Sequence, residues 1–435
     1  MKTTLLTLLI LFSVTLRDEA NAADEKKSDE EIFKTELLIQ KSQDQAIFQL
    51  SQLLRNVSEP EHKPRLLHQL AELYMKKAKS NRFLENMGKK QESPSLWMNK
   101  AIEVYVDIEK MFPKYDQMDV VLFNHAYALK GLGLNDKSQS FFLNLLTKYP
   151  NTHLASDALV SIGEMYFERS QFAEALAAFK RVDNNSKNKI YATYKMAWTY
   201  YNLKQTQNAM LTMESVIDQS EGTEGHNLRM EALKDLGIFF SDSRKAEELY
   251  GYFSRLSTGD ELTDLILQIA KMYDSHSRQK ELVIFLDDFL VHEPYGQGRI
   301  FAYLINTWEV MKDRPHVFST LDRAYSIVGA QKEINDVALT LIKRWNDLLK
   351  LNKGLSKGQS EIRSWMTQVF KIYLENNPSD LNTRLALAEL YFEAEEFSEA
   401  SVQYEIIAKE STDLVASENA SFACLVASQR RNLPI

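Results

Sequence analysis

Residues 157–182 read DALVSIGEMYFERSQFAEALAAFKRV, and their spacing decides the predicted fold. Counted from one small residue, an aromatic residue follows after three positions, an alanine after twelve, an aromatic after sixteen and an aliphatic after nineteen. These positions are held by Gly163, Tyr166, Ala175, Phe179 and Val182. Such intervals place the apolar residues on single helical faces, so the stretch predicts two antiparallel helices joined by a short turn.

The five-position pattern recurs along the chain. Its first recurrence begins 34 residues later and consists of Ala197, Tyr200, Ala209, Met213 and Val216. Three more copies begin at Gly237, Ala270 and Ala388, and weaker copies begin at Ala71, Ala126, Ile305 and Ile342. In each copy the small residue would let the first helix approach the second, and the aromatic residue one turn later would fill the space between them. A constant register over several copies indicates a repeat array.

This spacing resembles the tetratricopeptide repeat, a helix-turn-helix unit with small, aromatic, alanine and aromatic residues at these offsets. The resemblance implies an all-α fold, a right-handed α-solenoid of about nine helix-turn-helix repeats. Composition agrees with a helical chain, because only 14 Gly and 9 Pro occur among 435 residues. Sheet-rich folds use both residues freely at their turns.

The positions of the copies predict five segments. They are a signal peptide at 1–22, N-terminal leading helices at 23–63, a tetratricopeptide superhelix at 64–330, a degenerate repeat with a linker at 331–380, and a C-terminal repeat with a capping helix at 381–435. We expect the capping helix to carry a polar outer face, because no further repeat covers the end of a solenoid.

The first 22 residues carry the features of an export signal. The apolar run Leu5–Leu16 is too short to span a bilayer comfortably, and residues 20–22 (Ala-Asn-Ala) give the small-x-small pattern for cleavage before Ala23. Cys424 is the only cysteine, which favours the bacterial periplasm over an exported eukaryotic protein. We therefore predict an exported, soluble periplasmic protein, not a lipoprotein, with no transmembrane span in the mature form. A buried N-terminal helix is the alternative.

A joint between two repeats carries a second resemblance. Residues 148–158 read KYPNTHLASDA, three residues longer than the joint of a plain array, and residues 111–115 hint at the same form. The joint resembles that of a bacterial envelope subgroup, which includes the BamD-type outer-membrane assembly lipoproteins and the periplasmic coordinator of the Tol-Pal system. The chain departs from the BamD type because it lacks a lipid-anchoring cysteine. Soluble periplasmic proteins of gliding-motility machines with this repeat would also fit.

The sequence offers no catalytic constellation. Its eight histidines form no pair spaced to place two ligands on one helical face, and no nucleophile elbow is present. We therefore predict no enzyme activity, no catalytic residues, no metal site and no cofactor. Cys424 is expected to be a buried, inert thiol. The net charge of −8 argues against a nucleic-acid partner, since the phosphate backbone would be repelled.

The tetratricopeptide resemblance implies which residues would line an inner groove. In the unit that contains Ala197, four of five groove positions are aromatic. The predicted partner-binding residues, including those of the two preceding units, are Phe123, Tyr127, Phe167, Tyr191, Tyr194, Trp198 and Tyr201. Aromatic side chains bury much area at low entropic cost, as binding sites require. Tyr200 is expected on the opposite, core-facing side. The alternative is that terminal helices fold back and cover these aromatic residues as core.

Two functions remain open from the sequence. The first is a non-enzymatic periplasmic scaffold that binds protein or peptide partners in an envelope machine, for outer-membrane assembly, division or gliding motility. Its expected partners are other envelope proteins or peptides, with association to outer-membrane components a further expectation. The second is a glycan- or peptidoglycan-binding module that uses the aromatic groove. The carboxylate clamp of chaperone-binding tetratricopeptide domains is missing, since its Lys and Asn positions read Tyr194 and Trp198 in the central unit.

Overall fold

The computed structural model places most of the chain downstream of residue 28. It describes residues 29–57, 59, 61–89, 92–220, 222, 226–329, 331–351 and 356–431. The predicted signal peptide at 1–22 lies outside the described residues. Within the described ranges every element is helical and no strand occurs, which confirms the predicted all-α class.

The described residues divide into two compact units, the first ending at Gln219 and the second beginning at Ser220. The helices of the first unit are α1 (Asp29–Asn56), α2 (Lys63–Asn86), α3 (Pro94–Met111), α4 (Met118–Gly131), α5 (Asn135–Lys148), α6 (Ala155–Glu168), α7 (Phe172–Lys180), α8 (Lys189–Asn202) and α9 (Thr206–Gln219). The division falls inside the segment predicted as one superhelix, and the predicted segment boundaries remain predictions.

The described part of the second unit is also helical, with helices of 5 to 21 residues. They are α10 (His226–Ser241), α11 (Leu249–Phe253), α12 (Gly259–Ser275), α13 (Gln279–His292), α14 (Gly298–Val310), α15 (Arg314–Val328), α16 (Lys332–Leu351), α17 (Ser356–Asn376), α18 (Leu381–Glu393), α19 (Phe397–Glu410) and α20 (Leu414–Arg431). A 3₁₀ turn at Ala246–Glu248 precedes the short α11.

Helices that follow one another in the chain pack together, from α1 to α9 in the first unit and from α12 to α20 in the second. Contacts also join helices two apart, such as α6 with α8 and α14 with α16. Short turns force consecutive helices to run antiparallel. This pattern of pairs that stack on the next pair is the arrangement of helical repeats.

The small residue of the repeat allows the close approach that its spacing predicts. A Cβ atom added to Gly163 on α6 would lie 2.5 Å from Cε1 of Phe179 on α7. Phe179 is fully buried, as are Ala175 and the next copy's Ala197 and Ala209. The first helix of a repeat therefore touches the second at the predicted position, and the aromatic ring occupies the volume that the glycine leaves.

The turn between the two helices adopts the same backbone conformation in six of the repeats, which the composition did not predict. In six repeats the residue seven positions after the small residue has a positive φ: Gly133 (76°), Ser170 (60°), Lys204 (62°), Ser277 (57°), Lys312 (61°) and Glu395 (62°). In the second of them the next N–H, of Gln171, donates to the carbonyl of Tyr166. This is a Schellman cap, which ends a helix with one left-handed residue. Five of the six caps do without glycine, which is consistent with its scarcity in the chain.

The prediction of a polar outer face for the last helix is wrong. On α20 the side chains of Leu414 (78%), Phe422 (70%) and Leu425 (63%) are exposed. Packing between α19 and α20 instead uses the small residues Ala420 and Ala427, which are 4% and 0% exposed. Alanines let the two helices approach closely, and this orientation turns the large apolar side chains outward.

A carboxylate caps the start of α18 and predicts a pH dependence of stability. Asp380 accepts hydrogen bonds from the backbone N–H of Thr383 (3.0 Å), from the Thr383 hydroxyl (2.7 Å) and from the Tyr373 hydroxyl (2.9 Å). Burial opposes the charge of Asp380, but these hydrogen bonds together lower its pKa. Burial and the nearby Asp380 raise the pKa of Tyr373 to about 12.

Replacing Asp380 with Ala is expected to lower the free energy of unfolding at pH 7 by about 1 kcal/mol, the usual value of such a cap. Because the pKa is lower in the folded state, the carboxylate stabilises the fold above its unfolded pKa near 4, and this stabilisation is lost as the pH falls through the folded pKa. Urea unfolding between pH 7 and pH 3 should show the variant and the parent converging. Asp380→Asn, which keeps a capping oxygen, serves as the control. A constant difference across this range would contradict the assignment.

Candidate functional site

The predicted groove residues lie on the first helices of three successive repeats, α4, α6 and α8. Phe123 and Tyr127 lie on α4, Phe167 on α6, and the remaining four on α8. Tyr127 is 54% exposed. Five of the other predicted groove residues are half-buried: Phe123, Phe167, Tyr191, Trp198 and Tyr201. We call Phe123, Tyr127, Phe167, Tyr191, Trp198 and Tyr201 the aromatic surface.

Tyr194 lies in a different environment from its predicted neighbours. It is 8% exposed, whereas Tyr200, which was expected in the core, is half-buried with the Lys180 ammonium 5.5 Å from its ring centre. Tyr194 precedes the fully buried Ala197 by three residues, so both lie on one side of α8. Tyr194 is also three residues from Tyr191 and four from Trp198, so it lies within their stripe. It is the buried member of the stripe, whereas Tyr191, Trp198 and Tyr201 are half-buried.

Five rings of the aromatic surface contact another aromatic ring, four of them in two pairs within the surface. Phe123 stacks on Tyr127 with 6.4 Å between ring centres. Trp198 and Tyr201 meet edge to face at 5.7 Å. Phe167 meets Phe172, from the start of α7, edge to face at 5.3 Å. Such pairs hold each other's orientation, so the surface is largely formed before any ligand arrives.

A polar bridge fixes the relative positions of the three helices. Glu164 on α6 accepts hydrogen bonds from the Lys130 ammonium of α4 and from the Tyr191 hydroxyl of α8, both at 2.6 Å. Burial opposes the charge of Glu164, but the hydrogen bonds from Lys130 and Tyr191 and the charge of Lys195 lower its pKa. Glu164 was not predicted as a site residue. The spacing of 34 between Lys130 and Glu164, one repeat length, is the signal that could have paired them.

The aromatic surface is thus a mixed face, with aromatic rings around a half-buried ion pair. Lys195 lies 5.4 Å from the ring centre of Tyr191 and Lys204 lies 5.9 Å from that of Tyr201. Aromatic rings beside fixed charges suit polypeptide ligands, which present apolar side chains and backbone polar groups together. A sugar ring could use the same stacking faces.

The described residues show little chemistry beyond this face. Among them, no three His, Cys, Asp or Glu side chains are placed to hold a metal ion. His125 is buried beside Glu109, with Nδ1 2.7 Å from Oε1, which is an inter-helix contact. Cys424, expected to be buried, is half-buried and donates to the carbonyl of Ser401 at 3.4 Å. In the searched ranges no helix combines the length and apolar character needed to cross a membrane.

Similarity to known proteins supports the repeat assignment. Residues 191–221, which include most of α8 and all of α9, match the family model of the tetratricopeptide repeat. This segment contains the stripe from Tyr191 to Tyr201. No curated protein sequence matches the chain. Tetratricopeptide repeats are generally non-enzymatic scaffolds that bind protein partners.

Several solved structures align with the chain at low identity. A tetratricopeptide repeat protein from Parabacteroides merdae is 13% identical, with 62% of this chain and 97% of that chain covered and a TM-score of 0.33. The C-terminal part of a repeat protein from Cytophaga hutchinsonii is 12% identical, with coverages of 70% and 98% and a TM-score of 0.34. The TPR2AB domain of yeast Sti1, in a pHSP90 complex, is 9% identical, with coverages of 72% and 99% and a TM-score of 0.26.

Proposed function

We propose that this chain is a non-enzymatic scaffold of the bacterial periplasm, which binds a protein or peptide segment on the aromatic surface of α4, α6 and α8. The bridge from Lys130 through Glu164 to Tyr191 carries the proposal, because it holds three first helices in one fixed arrangement. A preformed surface loses little conformational entropy on binding. The adjoining rings supply the aromatic area that binding hot spots use.

Two sequence features support a periplasmic location for this scaffold. The predicted export signal at 1–22 favours the periplasm, and the repeat joint at 148–158 resembles that of envelope proteins in outer-membrane assembly and Tol-Pal function. Gliding-motility machines are a further setting for such a scaffold. Cell fractionation should recover an unlipidated form that begins near Ala23 in the periplasm, and a full-length cytoplasmic form would contradict the proposal.

Site-specific crosslinking tests the binding surface. A photo-reactive phenylalanine analogue in place of Tyr127, the most exposed ring of the surface, should yield discrete adducts with an envelope protein. The same analogue in place of Tyr295, which is 80% exposed in the second unit, serves as the control. Equal adducts from both positions would indicate random collisions and would contradict the proposed surface.

Replacing Trp198 with Ala is expected to weaken the captured partner's binding by about 2 kcal/mol, the loss typical of an aromatic hot spot. The stability of the fold should change little, because Trp198 is only half-buried. Replacing the buried Tyr194 should instead cost about 3 kcal/mol of stability through the cavity that it leaves. Titration calorimetry and thermal unfolding separate the two effects.

The expected contrast differs from the one that the sequence suggested, since Tyr194 is buried and Tyr200, which was expected in the core, is half-buried. If Trp198→Ala and Tyr194→Ala lower the melting temperature equally, the surface is core and the proposal fails. Tyr200→Ala is the intermediate case and should cost less stability than Tyr194→Ala.

A glycan- or peptidoglycan-binding module is the second candidate, favoured by the exposed ring of Tyr127 and the half-buried ring of Trp198. Sedimentation with purified cell-wall sacculi distinguishes it from the first. If the chain sediments with sacculi and Trp198→Ala abolishes this, the ligand is a glycan. If the chain remains in the supernatant and the photo-reactive analogue at position 127 crosslinks to a protein, the result supports the scaffold function.

A further inference from the structure

A cavity of about 540 Å³ lies between α17 and α18 in the second unit. One side chain from each successive turn of α17 forms its wall: Gln359, Arg363, Thr367 and Lys371. Residues four apart on a helix lie on the same face, so these side chains form a continuous row. Tyr391 of α18 lines the opposite side. The cavity shares no residue with the aromatic surface.

The charge of this cavity is opposite to that of the chain. Its lining contains two cationic side chains, Arg363 and Lys371, and one acidic side chain, Glu396. The chain as a whole has a net charge of −8. Local positive charge in a concave, partly desolvated site attracts and holds anionic groups. The remaining lining includes hydroxyl and amide groups, which can hydrogen-bond a peptide backbone.

The two cationic side chains have few partners among the described residues: Lys371 contacts the Tyr391 hydroxyl, and one N–H of Arg363 has no acceptor. The Nε–H of Arg363 is buried and has no hydrogen-bond acceptor among the described residues. Neither Arg363 nor Lys371 forms an ion pair with any residue in those ranges. A buried N–H without an acceptor is unfavourable, and a carboxylate bound to the half-buried Arg363 would supply one.

We propose that this cavity binds an extended acidic peptide, with one carboxylate paired to Arg363 and a second paired to Lys371. The two cations are eight residues apart on α17, which is about 12 Å at 1.5 Å per residue. An extended peptide rises about 3.3 Å per residue, so the two acidic residues of the ligand lie about four positions apart. This site is inferred independently of the aromatic surface, which lies in the first unit.

The ligand preference is tested with a defined probe. A fluorescein-labelled peptide Glu-Ser-Thr-Ser-Glu with blocked termini is titrated with the full chain and followed by fluorescence anisotropy. The matched peptide Gln-Ser-Thr-Ser-Gln should bind at least about tenfold more weakly, the factor expected for one charge-assisted hydrogen bond. Equal affinity for the two peptides would overturn the proposal.

Variants then locate the binding. Arg363→Gln and Lys371→Gln should each weaken the acidic peptide at least about fivefold to tenfold, and Glu396→Gln should strengthen it by removing a like charge. Arg344→Gln removes the same charge from an exposed position on α16 outside the cavity, and it should have no effect. Thermal unfolding checks each variant, and the exposed Lys371 keeps the test valid if Arg363→Gln does not fold.

Two results would contradict the proposal. If Arg344→Gln weakens binding as much as Arg363→Gln, the attraction is general charge and not the cavity. If inorganic phosphate displaces the peptide at equal concentration, the cavity is a site for small anions. Retained peptide binding in the presence of millimolar phosphate, with loss in the two cavity variants, is the supporting outcome.

Discussion

Replacing Glu309 with Ala is expected to lower the free energy of unfolding by about 3–5 kcal/mol, the cost of leaving a buried charge without its partner. Glu309 is 7% exposed and forms an ion pair with Arg314, which links α14 to α15. Its other oxygen accepts a hydrogen bond of 2.9 Å from the indole N–H of Trp345 on α16. Loss of the carboxylate therefore leaves the indole donor without its acceptor. It also leaves the buried Arg314 cation without a counter-charge, with the backbone carbonyl of Glu309 at 3.2 Å as a remaining acceptor.

The surroundings of Arg314 leave it little other support. Its guanidinium lies 5.2 Å from the ring centre of Trp345 and 4.7 Å from that of Trp365 on α17. Its Nε–H has no acceptor among the described residues. The guanidinium is thus held between two indoles with Glu309 as its only ion-pair partner in those ranges, and water has poor access to replace it.

Urea unfolding of the full chain, followed by tryptophan fluorescence and circular dichroism, measures this effect. Glu309→Gln keeps an oxygen for Trp345 and should cost less than Glu309→Ala. The double variant Glu309→Ala/Arg314→Ala should lose less than the sum of the single losses, because the second change removes the unpaired cation. Glu389→Ala, at an exposed position of α18, is the control and should stay within about 0.5 kcal/mol. A Glu309→Ala loss no larger than that of the control would refute the role of the ion pair.

Replacing Phe179 with Ala is expected to cost about 3–5 kcal/mol, the usual loss for a fully buried aromatic residue. Phe179 is 0% exposed and packs with Leu159, Ala175 and Ala192 in one core cluster. Its ring also fills the space that Gly163 leaves on α6. The variant opens a cavity at the point where α6 and α7 come closest, so the loss reports the packing of a single repeat.

A matched change at the glycine tests the same contact from the other side. Gly163→Ala adds a Cβ that would lie 2.5 Å from the Phe179 ring, so the ring must move at a cost of about 1–3 kcal/mol. In Gly163→Ala/Phe179→Leu the smaller side chain makes room for the new methyl group, and the double variant should be more stable than the sum of the single losses predicts. Purely additive losses in thermal unfolding would show that the two positions do not share one packing contact.

The repeat register could be read from the sequence because it depends on local spacing. A small residue, an aromatic residue three positions later and an alanine after twelve fix which faces of two helices meet, whatever follows in the chain. The predicted contact at Gly163 and the burial of Ala175 and Ala197 therefore agree with the structure. The all-α class follows from the same periodicity.

The site was predicted less completely, since its side chains depend on neighbours in other repeats. The stripe of Tyr191, Trp198 and Tyr201 was identified from groove offsets, but the burial of Tyr194 in the same stripe was not, because an offset along one helix does not show which side chains neighbouring helices cover. The Glu164 bridge was missed because it joins three helices whose residues are separated by 27 and 34 positions. That the aromatic surface binds a partner remains a prediction.

The sequence by itself determined the helices, their pairing within repeats and the positions of close approach, since these depend on periodicity along a single stretch of chain. The tertiary structure alone decided which polar groups meet. Glu309 with Arg314 and Trp345, and the row from Gln359 to Lys371 beside α18, combine residues whose partners are set by the rotation and stagger of packed helices. Apolar burial accepts many side-chain orientations, whereas hydrogen bonds and ion pairs require particular distances and angles, so only the packed structure could reveal them.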